Sequence, residues 1–177
     1  MTARLRRVTP WLVLTIFGAL SSTPAGAAPQ SAAPSAAEAT LSVAGDVARP
    51  LTLTPAELMT MPHTTVTIVD QGREVKYAGV LVGDVLARAG ATLGRDMSGG
   101  AMTTYVLASA KDGYQVVFSL AELDPAFTPN DIIIADSVDG QPLFDYQGPL
   151  RLVAPHDKRG ARSVRMLQRL EVVRLRK

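Results

Sequence analysis

The densest group of chemically capable side chains is His156-Asp157-Lys158-Arg159-Gly160-Ala161-Arg162. Guanidinium and ammonium groups around exposed backbone N–H groups can grip a phosphate or a carboxylate, and arginine adds bidentate contacts. His156, Lys158, Arg159 and Arg162 are therefore candidate anion-binding residues. A solvated, salt-bridged loop has the same composition, because charge runs commonly face water. The chain has two histidines, His63 and His156. Such a pair could hold a metal or serve as acid and base. Further ligands are not evident, and His63 follows Pro62 where a helix hands over to a strand, so it reads as a turn residue and no metal is expected. Asp112-Gly113-Tyr114 reads as a hairpin turn, with Tyr114 packed inward or at a cleft rim.

Several chemistries are excluded outright. The chain contains no cysteine, which removes disulfides, thiolate metal ligands and a thiol nucleophile. It has no G-x-S-x-G elbow, Walker loop or dinucleotide fingerprint. Its few aromatic residues are not interleaved with the basic ones, which argues against nucleic acid as a partner.

A pair of strands must deliver the cationic loop. Ile132-Ile133-Ile134-Ala135 is a continuous apolar run suited to a strand buried on both faces. Asp139-Gly140 marks a tight turn and Gly148-Pro149 a break. Leu150-Arg151-Leu152-Val153-Ala154 then forms a second strand, which Pro155 stops just before the loop.

The N-terminus has the layout of an export signal. Arg4, Arg6 and Arg7 precede the apolar run Trp11–Leu20, and Ala25-Gly26-Ala27 is a small-residue cleavage site, so residues 1–27 are expected to be removed after Ala27. Arg6-Arg7 matches a twin-arginine signal poorly; an ordinary n-region fits better. The run falls short of the roughly 20 residues a bilayer span needs. A periplasmic or secreted protein with no membrane span after cleavage is the expectation. Residues 28–39, rich in Ala, Pro and Ser, read as a flexible leader, and residues 40–177 as one domain.

Without the signal, 15 basic residues face 16 acidic ones, net −1, so the basic pI of the whole chain says nothing for nucleic acid. Charge is segregated: residues 28–150 carry six basic and 14 acidic side chains, and residues 151–177 nine basic and two acidic. The basic tail either pairs with the acidic body or faces an anion, whether a small molecule or an acidic protein partner.

The remaining elements are short. Thr40–Gly45 alternates like an edge or hairpin strand, and Thr54-Pro55-Ala56-Glu57 has the form of a capping box opening a helix to about Met61. His63–Val69 is a β-branched strand, Gln71-Gly72 a turn, and Arg73–Tyr77 its partner. Val80, Leu81, Val82, Val85 and Leu86 recur at helical spacing up to Gly90. Ala101–Ala110 and Tyr114–Phe118 form a hairpin about Asp112-Gly113; Ser119–Glu122 repeats the capping box; Leu170–Leu175 is a terminal strand. Short strands with two or three short helices make an α+β domain.

In this order the motifs resemble the sulfite-oxidase fold, the oxidoreductase molybdopterin-binding domain family. The resemblance runs over about residues 41–175: Val43-Ala44-Gly45, Leu51–Leu58, Val66–Gly79, Asp112-Gly113-Tyr114, Ala135 to Leu143, Gly148–Pro155 and Val164–Val172. The segment Gly148-Pro149-Leu150-Arg151-Leu152-Val153-Ala154-Pro155 is its most specific part. The resemblance implies a mixed α+β, sulfite-oxidase-like fold and a pterin site near the cationic loop. Active members hold molybdenum through one cysteine after the strand that here is Val66–Val69, where this chain has Asp70-Gln71-Gly72. A carboxylate is a harder donor than the thiolate that suits a molybdenum–dithiolene centre. Asp70 is thus a candidate cofactor-site residue by position, although turn chemistry also accounts for an aspartate there. A non-redox binding or accessory module without cofactor is the expectation. The alternatives are a molybdopterin-dependent oxidoreductase with unconventional ligation through Asp70, and a structural interaction domain whose basic edge docks an acidic partner.

Overall fold

The computed structural model describes residues 40–129 and 131–176; the expected signal, its cleavage site and the leader lie outside them. The first sheet is built from β1 (Leu41–Gly45), β2 (Leu51–Leu53), β5 (Thr104–Ala110), β6 (Gln115–Ser119) and β10 (Leu167–Arg174), in the order β2-β1-β10-β5-β6. The second contains β3 (His63–Asp70), β4 (Arg73–Leu81), β7 (Ile133–Val138) and β8 (Gln141–Pro142) in that order, with β9 (Arg151–Val153) also on β7. Two α-helices, α1 (Pro55–Met59) and α2 (Val82–Arg88), are found among the described residues. Mixed sheets with short helices give the α+β architecture the sequence implies.

Local chemistry accounts for the element ends. Thr54 caps α1: its hydroxyl accepts from the Glu57 N–H at 3.2 Å, and Glu57 Oε2 accepts from the Thr54 N–H at 2.8 Å. The same box at Ser119 and Glu122 opens a 3-10 turn, Leu120–Leu123, rather than an α-helix. Beyond α2, Gly90 takes φ +73° and the N–H groups of Gly90 and Ala91 bond back to Ala87 and Leu86, closing the helix in a Schellman motif. Gln71-Gly72 and Asp139-Gly140 both have positive φ at the two central positions, the geometry of two-residue type I′ hairpins.

Several boundaries and neighbours differ from expectation. β5 starts at Thr104 because Gly99–Thr103 forms a 3-10 turn, held by the Thr103 hydroxyl on the Gly100 carbonyl. β4 continues through Val80 to Leu81, and α2 begins only at Val82. β1 forms a hairpin with β2, one of the two expectations, but it is not an edge strand, because it also pairs parallel with β10. The terminal β10 is central, paired with β1 and β5.

β7 is buried on both faces, as its apolar run requires. Ile134 joins the main core with Val106, Phe118, Leu152 and Leu170, whereas Ile133 and Ala135 join a smaller cluster with Val66, Tyr77 and Val153. The register shift between β4 and β7 falls at Ala78/Gly79, where the Gly79 backbone approaches so closely that a Cβ would stand 2.0 Å from the Ile134 carbonyl oxygen. Side chains alternate along β9: Leu152 faces the main core and Val153 the smaller cluster, and period-2 alternation puts Arg151 on the same side as Val153.

Candidate functional site

The end of β3, the β5–β6 hairpin and the loop after β9 converge on a polar cavity of about 440 Å³. Its wall includes Asp70, Asp112, Tyr114, Arg151, Lys158 and Arg165. The type I′ turn after β3 holds Asp70 at one side. Asp112 accepts from the Tyr114 N–H at 3.0 Å, an Asx turn that presents the tyrosine. The Tyr114 hydroxyl donates to the Ala161 carbonyl and so ties the hairpin to the loop.

Arg151 is the unusual member. It is 7% exposed, and its Nη1 donates to the Tyr77 hydroxyl at 2.7 Å and to Gln147 Oε1 at 2.8 Å. The guanidinium carbon lies 4.9 Å from the Tyr77 ring centroid, a cation–π contact. Its Nε is buried without a hydrogen-bond partner, and no carboxylate among the described residues forms an ion pair with it. Burial pushes its pKa below the usual arginine value, yet a guanidinium stays charged in a protein. Burial likewise pushes the Tyr77 hydroxyl up, with Arg151 opposing it. A buried charge is costly unless paired. Arg151 is thus a cation whose hydrogen-bond partners on the cavity wall are neutral, with Asp70 favouring its charge only through space.

The sequence candidates fall in different places. Asp70 and Lys158 share this cavity with Arg151 and Arg165. His156 and Arg162 line a separate cavity of about 180 Å³, and Arg159 lines neither of these cavities. His156 pairs with Asp131. Arg162 is engaged by the protein itself: Asp157 accepts from its Nε and Nη2 at 2.8 and 2.7 Å, and Glu122 from Nη1 at 3.1 Å. Its guanidinium also lies 4.8 Å from the Phe118 ring centroid. These acceptors hold the Arg162 pKa above the usual arginine value, the bond to Asp157 first. Arg162 and, through Arg174–Asp46, the last strand thus pair the basic tail with the acidic body. Among the described residues, Lys158, Arg159 and Arg165 make no such ion pair. Arg165 stacks on Tyr146 at 4.9 Å.

Sequence reasoning missed Arg151, Arg165 and Tyr77. The signal for Arg151 was present: a lone arginine inside the otherwise apolar strand Leu150–Ala154.

His63 lies on another surface, lining an apolar groove of about 500 Å³ with Met59, Leu143 and Pro149. Its Nε2 is 2.8 Å from Asp136 Oδ2 and its Nδ1 is 2.9 Å from the Met61 carbonyl oxygen. Both partners are acceptors, so only the imidazolium can donate to both. The hydrogen bond to Asp136, then that to Met61, raises its pKa above 6.5.

The donor set bears on whether a molybdenum–dithiolene group fits. Asp70 stands on the cavity wall where the resemblance calls for a thiolate. No cluster of three metal-ligating side chains occurs among the described residues. The hard carboxylate of Asp70 does not match a soft metal centre, while the cations Arg151, Lys158 and Arg165 suit oxyanions.

The family model for the oxidoreductase molybdopterin binding domain matches residues 26–177. Comparison with curated protein sequences finds no match. Among solved structures, the chain is similar to the sulfane dehydrogenase SoxCD from Paracoccus pantotrophus, with a TM-score of 0.60 and 21% identity over 75% of this chain. The match spans 37% of that chain. At this identity the likeness is one of fold.

Proposed function

This chain belongs to the oxidoreductase molybdopterin binding domain family, and on that premise we propose that it is an exported, non-redox binding module for an anionic small molecule. The reading rests on Arg151, a buried cation with no carboxylate partner on the wall of a cavity that also carries Lys158 and Arg165. Lys158 and Arg165 attract the anion and Arg151 fixes its oxygens by charge-assisted hydrogen bonds. Tyr77 and Gln147 orient the guanidinium. The signal-like N-terminus supports placement in the periplasm or outside the cell.

Calorimetric titration of the purified protein with inorganic phosphate tests the proposal. Binding is expected to weaken with added salt. Lys158→Ala and Arg165→Ala should each weaken it about fivefold or more without moving the melting temperature. Absence of binding, or binding indifferent to both substitutions, would overturn the reading. The oxidoreductase alternative is separated by metal analysis of protein taken from the exported pool, in which molybdenum near one per chain would establish that the metal is held without a cysteine of the protein.

A further inference from the structure

Resting on the anion-binding reading, we infer that the ligand of this cavity is dipolar: an oxyanion that also carries an ammonium group, its anionic end at Arg151 and its cationic end at Asp70 and Asp112. Asp70 forms no ion pair and no side-chain hydrogen bond among the described residues. Arg73, its cross-strand neighbour, is turned to Asp139 at 3.0 Å. Asp112 uses one carboxylate oxygen, Oδ1, for the Tyr114 N–H, which leaves the other without a partner. The third carboxylate of the wall, Asp157, is neutralised by Arg162.

The cavity therefore presents charge of both signs that is not closed into ion pairs within its wall, Asp70 favouring the Arg151 charge only through space. Arg151, Lys158 and Arg165 stand against Asp70 and Asp112, and Asp70 and Arg151 make no direct ion pair across the space between them. An anion without a donor group would gain at Arg151 and be repelled by the carboxylates. A molecule with an ammonium group satisfies both ends, and each charge-assisted hydrogen bond contributes more than a neutral one. A basic pocket alone would favour the more negative ligand, so selection for the less negative one is diagnostic.

The test uses two probes that differ by one ammonium group, propylphosphonate and 3-aminopropylphosphonate, titrated calorimetrically into the full chain and into Asp70→Asn. The unsubstituted protein is expected to bind 3-aminopropylphosphonate about tenfold more tightly, the scale of one charge-assisted hydrogen bond. Asp70→Asn should reverse this order, weakening the aminated probe and strengthening the plain one. Equal or tighter binding of propylphosphonate by the unsubstituted protein overturns the dipolar inference and leaves the anion site standing. If neither probe binds, the anion-binding reading itself fails. The comparison on the unsubstituted protein decides even if the variant does not fold.

Discussion

The Nη1 of Arg151 donates a 2.7 Å hydrogen bond to the hydroxyl of Tyr77, 74 positions earlier in the chain. This contact joins β9 to β4 across β7, which lies between them. The same hydroxyl donates to Gln147 Oε1 at 3.3 Å, so the three side chains form one small network beneath the cavity. Tyr77→Phe removes the central oxygen and leaves the buried guanidinium with a single acceptor. A loss of about 1–2 kcal/mol is expected in urea unfolding, with weaker phosphate binding. Unchanged stability would show that the network is not what holds Arg151.

The basic residues of the loop should divide into two groups. Arg162→Ala breaks a bidentate pair with Asp157 and a contact to Glu122, and leaves an arginine-sized gap over Phe118. Because the side chain is 37% exposed, solvent screening limits the loss to about 1–2 kcal/mol. Arg165→Ala should barely move the melting temperature and act on ligand binding instead. Thermal melts of the two variants side by side distinguish the assignments, and a stable Arg162→Ala protein with lost binding would reverse them.

His63 makes stability depend on pH. Its folded pKa lies above its ordinary value of 6.5, chiefly through the bond to Asp136. The protonated ring binds two acceptors, so its contribution is complete below about pH 6.5 and is lost as pH rises through the folded pKa. The melting-temperature difference between the unsubstituted protein and His63→Ala should be larger at about pH 5.5 than at about pH 9. A constant difference across that range would count against an imidazolium bridge.

Gly79→Ala tests the closest approach between β4 and β7. The added methyl would meet backbone, the Ile134 carbonyl oxygen at 2.0 Å, rather than a side chain able to swing away. A loss of at least about 3 kcal/mol, or failure to accumulate folded protein, is expected. Alanine at Gly140 is a useful contrast: nothing lies within 4 Å of its Cβ position, so only the strain of φ +78° should register.

Much of the scaffold was legible because its causes are local. The capping boxes at Thr54 and Ser119 and the turns at Gln71-Gly72 and Asp139-Gly140 depend on residues within a few positions of one another. The Ile132–Ala135 run announced a strand buried on both faces. Strand neighbours were not legible in this way. Alternation in Thr40–Gly45 describes one exposed and one buried face, but it does not reveal that β10 runs parallel beside it.

The cationic loop shows the same division between composition and space. By itself the sequence determined the element order, the resemblance to a known fold, the absence of cysteine and the charge of the C-terminal segment. Only the tertiary structure decided which charges are already neutralised. Arg162 closes on Asp157 and Glu122, Lys158 and Arg165 face the cavity with Asp70, and Arg151 is buried there without an ion pair. The physical reason is that backbone turns and caps are set over three or four residues, whereas the partners of a charged side chain include groups brought in from 40 to 74 positions away, as Glu122–Arg162 and Tyr77–Arg151 are.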